Sequence, residues 1–341
     1  MGVRVGINGF GRTGRAAFRA AYERGAAVEW AAINDLMDPG MAAHLLRFDS
    51  TYGPFPGIVE ETAAGIAVDG VEVPLFRAAD PGEIPWAQVG AEVVIESTGR
   101  FRKRDAAARH LTAGAQKVII SAPAPDADAT VALGVNFSDA YDPARHDVIS
   151  NASCTTNCLA PVAKVLHDEV GIRHGLLTTV HAYTGDQHLQ DSPHKDKRRA
   201  RAGGVNIIPT STGAAKALGL VVPELAGRLH GFALRVPVIT GSAVDLTVET
   251  ERPVSADEVN AIFRDAAGTT DLEGILQYSE QPLVSTDIVK SPYSAILDAG
   301  LTLAVDSTCV KVVAWYDNEW GYSNRLVDLA QRVLAKVPLA A

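Results

Sequence analysis

Through the first 120 residues, short apolar runs rich in β-branched residues alternate with stretches of helical spacing. Val3–Ile7 reads as a strand, and Gly11–Arg24 follows with Ala17, Phe18 and Ala21 on one face, the spacing of an amphipathic helix. Val28–Asn34, Ala91–Ser97 and Lys117–Ser121 read as further strands, with a helix predicted over Arg102–Ala113. Alternating strand and helix predicts a parallel sheet covered by helices, an α/β architecture. Ile66–Val73 breaks the alternation. Its two apolar runs flank Asp69-Gly70, a dipeptide suited to a tight antiparallel turn.

After about residue 150 the pattern changes. Gly175–Tyr183, His230–Val236, Ala243–Glu249 and Thr308–Tyr316 are longer strand candidates, with one helix candidate at Ser255–Ala267. This mixture predicts a second, α+β domain with a mainly antiparallel sheet. A last amphipathic helix over Tyr322–Lys336 carries Leu326, Leu329, Ala330 and Val333 at core spacing. The pattern contains no internal repeat, low-complexity tract or linker.

A chain of 341 residues is long for one hydrophobic core, so two domains are expected. The net charge of -9, from 31 basic and 40 acidic residues, argues against a nucleic-acid partner, because phosphate-dominated binding needs a cationic surface. Small anions need only a few arginines and backbone amides. Three cysteines do not form a disulfide framework and favour a reducing compartment. The N-terminal residues read as a strand and not as a signal peptide, and no run of eighteen apolar residues suggests a membrane span. A cytoplasmic protein is expected.

Two segments carry candidate chemistry. Gly9-Phe10-Gly11-Arg12-Thr13-Gly14 is a G-x-G-x-x-G motif with a strand ending before it and a helix opening within it. Glycines there permit a tight turn and close approach of a pyrophosphate to the amides of a helix N-terminus. Asp35 ends the second strand, where a carboxylate can accept hydrogen bonds from ribose hydroxyls. The second segment is Ser150–Cys158, in which small polar residues lead into Cys154 and the apolar Leu159–Val170 pattern behind it reads as a helix. A thiol at a helix N-terminus is drawn toward thiolate. Pro161 should kink that helix unless it lies in the first turn. A histidine beside the thiol could add to that shift toward thiolate, and His181, at the end of a predicted strand, is the candidate partner. Spacing alone does not bring these two together, and a single cysteine or histidine is more often structural. Cys158 reads as a buried structural thiol, and no metal site is expected because no other cysteine or histidine stands at ligand spacing.

Six blocks give the sequence a close resemblance to the phosphorylating, NAD-using glyceraldehyde-3-phosphate dehydrogenases: Gly6–Arg15, Ser150–Cys158, Thr178–Gln187, Pro209–Ala217, Phe232–Pro237 and Trp315–Arg325. The resemblance implies a Rossmann-type domain spanning residues 1–153 and 319–341, and a catalytic domain spanning 154–318. It implies that Cys154 is the nucleophile and His181 the base, with a thiohemiacetal and a thioester as intermediates. Gly9, Gly11, Arg12, Thr13, Gly14, Asp35, Arg77, Ser121 and Asn318 match positions that contact NAD. Thr184 and Arg235 match the site for the phosphate of glyceraldehyde 3-phosphate, and Ser153, Thr155, Arg198, Thr212 and Gly213 the site for inorganic phosphate. It also implies a homotetramer, with Ala182–Gly204 as a long loop near a neighbouring subunit's cofactor. The basic cluster Lys195, Lys197, Arg198, Arg199 and Arg201 then reads first as subunit contact and phosphate binding, next as a solvated charge run, and last as a nucleic-acid surface. Thr13 stands where isoleucine is usual, Gly185 where asparagine is usual, and Ser192 where the NAD-using branch often carries a bulky apolar residue, which leaves weak use of NADP open. Two rival readings share this fold: an erythrose-4-phosphate dehydrogenase, and a binding protein that has lost turnover. Ser211–Lys216 favours the phosphorylating enzyme over the first, and the intact Cys154 and His181 argue against the second.

Overall fold

The structure, a computed structural model, describes residues 2–334. The chain divides into two compact units. One comprises the chain up to Val131, Phe137–Ala152 and the chain from Ser323; the other comprises Ala132–Asn136 and Ser153–Tyr322.

The first unit is built on one sheet. Its strands run, edge to edge, Ala129–Thr130, Val148–Ser150, Lys117–Ile120, Val93–Glu96, Val3–Asn8, Val28–Asn34, Val71–Phe76, Gly65–Val68 and Val59–Glu61. The run from Ala129–Thr130 to Val71–Phe76 is parallel, and the last two strands are antiparallel additions. Helices cover parallel strands on both faces, which is why Val5, Ile7, Ile33 and Val93–Ile95 are all inaccessible to solvent. Val3–Asn8 sits between Val28–Asn34 and Val93–Glu96. The chain therefore leaves this strand toward one side of the sheet and later returns on the other. Such a switch opens a crevice at the carboxyl ends of the strands, where ligands of this architecture bind.

The predicted hairpin forms between Gly65–Val68 and Val71–Phe76, and Asp69 (φ 48°) and Gly70 (φ 80°) make a two-residue turn with both centres left-handed. The helix predicted as one piece over Arg102–Ala113 is instead two short ones, Arg104–Ala107 and Arg109–Thr112. Periodicity is the same for one helix or two; the hydrogen bonds that draw His110 inward to Glu96 and Trp86 have no local signature. The terminal helix begins at Trp320 and runs to Arg332, and Ala335 and Lys336 of its predicted span lie outside the described residues. It returns to the first unit: Val327 packs with Ala17 and Ala21, Asp328 pairs with Arg24 at 2.6 Å, and Tyr141 Oη donates to the Val333 carbonyl at 2.6 Å.

The second unit has a mixed sheet in the order Ile208–Ser211, Leu229–Val236, Ile172–Ala182, Ser242–Thr250, Cys309–Tyr316, Ala295–Asp298 and Leu276–Ser279, with Leu303–Val305 also paired to Cys309–Tyr316. Its pairs are mainly antiparallel; among the described residues the exceptions are Ile172–Ala182 with Leu229–Val236 and Leu276–Ser279 with Ala295–Asp298. The Cys154–Val170 helix packs against this sheet together with helices Ala214–Val221 and Ala256–Ala267. Pro161 lies two turns into Cys154–Val170, yet the helix continues through it. Burial of nearly every residue from Thr155 to Leu166 supplies the packing that offsets the missing N–H. No described helix is long and apolar enough to cross a membrane.

Gly14 sits in the first turn of helix Arg12–Glu23, where an added Cβ would lie 2.2 Å from the Gly9 carbonyl oxygen. That backbone oxygen has nowhere to retreat. Gly14→Ala is expected to lower stability by about 1–3 kcal/mol, read as a fall in the thermal unfolding midpoint; an unchanged midpoint would refute the close packing.

Candidate active site

The glycine motif lies at the crevice of the first unit. Gly9 (φ 95°) presses against the start of the Ser97–Arg100 turn, and a Cβ there would meet Thr98 N at 2.6 Å. Gly11 differs: it precedes helix Arg12–Glu23, no side chain caps that helix, and a Cβ on Gly11 would meet no atom within 4 Å. An uncapped helix start facing open space is what a pyrophosphate needs. Gly9, Gly11 and Asp35 line one groove of 280 Å³ with Asn34, Ser97 and Thr98. Asp35 accepts hydrogen bonds from Phe10 N (2.7 Å) and Met37 N (3.1 Å), which lock its carboxylate to the glycine turn.

Other predicted cofactor residues have different company. Arg12 pairs with Asp49 at 2.5 Å, Arg77 donates to the Leu36 carbonyl, Thr13 occupies the first turn of its helix, and Ser121 follows strand Lys117–Ile120. None of these four lines the groove. Asn318 belongs to the second unit, buried, its Oδ1 accepting from Ser242 Oγ at 2.8 Å and Thr240 Oγ1 at 3.3 Å.

Cys154 is the first residue of its helix. Ser153, in extended backbone, caps that helix by accepting from Thr156 N at 3.0 Å. His181 is the penultimate residue of strand Ile172–Ala182, and its Nε2 lies 3.5 Å from Cys154 Sγ. The structure thus joins the two residues that sequence spacing could not. His181 Nδ1 is 2.7 Å from the Ala182 carbonyl oxygen. A carbonyl only accepts, so this shorter contact puts the proton on Nδ1 and leaves Nε2 a lone pair toward the sulfur. Arg235 Nη1, 3.2 Å from the same Nδ1, is then a neighbouring cation and not a hydrogen-bond donor to it.

Burial governs the protonation of the pair. It depresses His181 to about 3, and the nearby Arg235 cation pushes the same way. Burial also pushes the Cys154 thiol up, against the opposing pull of Arg235 and of the hydrogen bonds at Thr155 and the Cys154 amide. The helix tip favours thiolate, as the sequence indicates, but desolvation outweighs it. The resting pair is a neutral thiol aimed at a neutral imidazole, ready to exchange a proton along one contact.

Arg235 is placed by register: on strand Leu229–Val236 it stands directly beside His181. Its Nη1 reaches the Ala182 carbonyl at 3.1 Å and Thr184 Oγ1 at 3.3 Å, while its buried Nε has no hydrogen-bond partner among the described residues. A buried N–H left unmade next to a threonine hydroxyl marks an anion position. The remaining predicted anion ligands are more dispersed. Thr155 is buried with its hydroxyl on Tyr316 Oη at 2.9 Å. Thr212 Oγ1 accepts from Ala214 N at 3.2 Å, and Gly213 immediately precedes helix Ala214–Val221 with no atom near its Cβ position. Arg198 is exposed, its amide held by Asp196 at 2.8 Å. No direct hydrogen bond among the described residues links Arg198, Thr212 or Gly213 to the Cys154–His181 pair. In the basic cluster, Arg199 pairs with Asp186 at 2.7 Å and Arg201 with Asp191 at 2.6 Å.

Sequence reasoning missed Tyr316 and Thr179. Tyr316 Oη lies 2.9 Å from Thr155 Oγ1 and 2.9 Å from Thr179 Oγ1, and its ring stands edge-on to His181 with centroids 6.0 Å apart. This hydroxyl bridge fixes the nucleophile's helix to the strand of the base. Its one signal in the sequence is alternation: Thr179 and His181 share a strand face, two residues apart.

A groove bearing the glycine motif, and a half-buried thiol facing a buried imidazole, fit the class of dehydrogenases that work through a cysteine. Comparison with known proteins narrows it. A family model described as the NAD binding domain of glyceraldehyde 3-phosphate dehydrogenase matches residues 3–104, and one described as its C-terminal domain matches residues 153–318. Glyceraldehyde-3-phosphate dehydrogenase 2 of Streptomyces avermitilis is 56% identical over 96% of this chain and 98% of its own length. Glyceraldehyde-3-phosphate dehydrogenase 1 of the same organism is 58% identical over 97% and 98%, and the Geobacillus stearothermophilus enzyme 54% over 98% and 99%. The chain belongs to the glyceraldehyde 3-phosphate dehydrogenase family, and its dinucleotide is NAD.

Arg235 favours the ionised thiol, so removing its charge must raise the pH at which Cys154 ionises. In Arg235→Gln the pH profile for iodoacetamide alkylation of Cys154 is expected to shift to higher pH, with slower labelling at pH 7 and convergence at alkaline pH. A shift to lower pH would contradict the charge assignment.

Proposed function

We propose that the chain oxidises D-glyceraldehyde 3-phosphate to 1,3-bisphosphoglycerate with NAD and inorganic phosphate, through a covalent intermediate on Cys154. The observation that carries this reading is the 3.5 Å approach of Cys154 Sγ to a His181 Nε2 whose lone pair is fixed by the Ala182 carbonyl. As sulfur attacks the aldehyde carbon, its proton passes to Nε2 and the carbonyl oxygen becomes anionic. The Cys154 amide, with no partner within its own helix at the first position, and the newly protonated Nε2 are donors for that oxygen. Protonation of the oxygen gives the thiohemiacetal. Bound in the groove, NAD supplies the acceptor for the hydride that leaves its carbon. His181 takes back the hydroxyl proton as the carbonyl re-forms, leaving a thioester. Phosphate oxygen then attacks the acyl carbon, the C–S bond breaks and the Cys154 thiolate departs. Bond energy from the oxidation is thereby kept in the acyl phosphate.

Arg235 and Thr184 hold the phosphate of the aldehyde, supported by the unpaired Arg235 Nε and by the approach of its Nη1 to the Thr184 hydroxyl. Arg198, Thr212, Gly213 and Ser153 supply the site for the attacking phosphate. The buried Thr155 acts at the same end of the helix through its bond to Tyr316. Gly9, Gly11, Gly14 and Asp35 shape the NAD groove, with Arg12, Thr13, Arg77, Ser121 and Asn318 as further contacts of the bound dinucleotide. The functional domains on this reading are 1–153 with 319–341 and 154–318. The working form is a cytoplasmic homotetramer: Leu176 and Phe232 on the sheet, and Leu189, Val205 and Ile207 in and after the long loop, are exposed apolar side chains suited to contact between copies.

Reduction of NAD by the chain should require glyceraldehyde 3-phosphate together with phosphate or arsenate, with NADP a poorer acceptor, as followed by absorbance of the reduced nicotinamide. Equal rates without either anion would sink the phosphorylating mechanism. Replacing His181 by Asn removes the proton acceptor and is expected to reduce kcat about 10²–10⁴-fold while the protein remains folded by circular dichroism; a loss below fivefold would show that the imidazole is not the base.

A further inference from the structure

Beneath the NAD groove lies a buried polar chain that the mechanism does not use. Trp86, His110, Glu96 and Asn8 have 0%, 0%, 2% and 2% of their surfaces exposed. Trp86 Nε1 is 2.9 Å from His110 Nδ1. An indole N–H only donates, so Nδ1 is unprotonated and the ring carries its proton on Nε2, 3.1 Å from Glu96 Oε2. The same Oε2 accepts from Asn8 Nδ2 at 2.5 Å, and Oε1 accepts from Thr98 N at 2.8 Å and from the Thr98 hydroxyl. Asn8 Oδ1 in turn accepts from Asn34 Nδ2 at 2.8 Å. Asn8, Asn34 and Glu96 are the last residues of the three central parallel strands, and Asn8, Asn34 and Thr98 are walls of the groove.

We propose that Trp86 and His110 are positioning residues for NAD: by fixing one histidine tautomer they hold Glu96, and through it the strand ends and the Thr98 turn that shape the groove. Asn8 Nδ2 also lies 3.3 Å from His110 Nε2, and with that nitrogen protonated the two groups donate to the shared Glu96 Oε2 and not to each other. If Nδ1 carried the proton, two N–H groups would face each other at Trp86 and Glu96 would lose a donor. A buried polar network whose members are all satisfied specifies one geometry, whereas an apolar plug of equal volume would stabilise the unit without setting the direction of Asn8 and Thr98. This inference rests on the groove being the NAD site proposed above.

Three variants separate positioning from packing. Trp86→Phe deletes the donor and keeps an aromatic ring; His110→Leu deletes the network; His110→Gln restores an acceptor for Trp86 and a donor for Glu96. Dissociation constants for NAD, by calorimetry or protein fluorescence, are expected to rise about tenfold in Trp86→Phe and His110→Leu and to return to within about threefold of the parent in His110→Gln. With saturating NAD, kcat should stay within about twofold in all three, so that the effect falls on the KM for NAD. Thermal midpoints report folding separately. Lower midpoints with unchanged NAD affinity, or His110→Gln binding as poorly as His110→Leu, would overturn the positioning role. Asp35→Ala serves as the control: unchanged NAD binding there as well as in Trp86→Phe would overturn the assignment of the groove itself.

Discussion

A hydrogen bond of 2.7 Å between His181 Nδ1 and the carbonyl of the next residue sets the terms for the rest of the site. Because the oxygen can only accept, it puts the ring proton on Nδ1 and leaves the other nitrogen as a base toward Cys154. Burial then keeps that base neutral, with His181 depressed to about 3. Had the ring been exposed, it would be partly protonated near neutrality and unable to take a proton from sulfur. The same burial holds the thiol's proton in place. Charge separation between sulfur and imidazole is thus deferred until substrate supplies an electrophile, and Arg235, beside both groups, biases the exchange toward thiolate.

Strand register delivers this arrangement. His181 and Arg235 are cross-strand partners on parallel neighbours, and Tyr316 lies at the end of another strand of the same sheet. A shift of either strand by one residue would turn His181 or Arg235 to the opposite face. Tyr316 adds a tie between the layers, bonding a threonine on the helix and another on a strand with one hydroxyl. Ser242 performs a similar service, accepting from Ala182 N at 3.1 Å while donating to Asn318.

The first unit solves a related problem by other means. There the ligand is met by backbone, so the requirement falls on glycines and on the ends of strands. Gly9 and Gly14 are dictated by contact with protein atoms, while Gly11 faces open space. Beneath the groove and at the thiol site alike, a buried histidine meets a group of one hydrogen-bonding sense that fixes its tautomer: an acceptor at Ala182, a donor at Trp86.

Much of this was legible in the chain. Periodicity located the strands Val3–Asn8 and Val28–Asn34, the turn at Asp69-Gly70 and the helix capped by Ser255, because each is decided by residues close in sequence. The glycine motif and the cysteine block indicated the chemistry for the same reason: steric freedom and thiol reactivity are properties of residue types. What the sequence could not determine was adjacency across long separations. The proximity of Cys154 to His181, the partnering of His181 with Arg235, the bridge through Tyr316 and the burial that reverses the expected ionisation of the thiol are products of packing. So are the broken helix at Ala108 and the chain from Trp86 to Asn8, whose members are scattered over a hundred residues. Local patterns decide which elements form; register and the exclusion of water decide which atoms meet and in what state of charge.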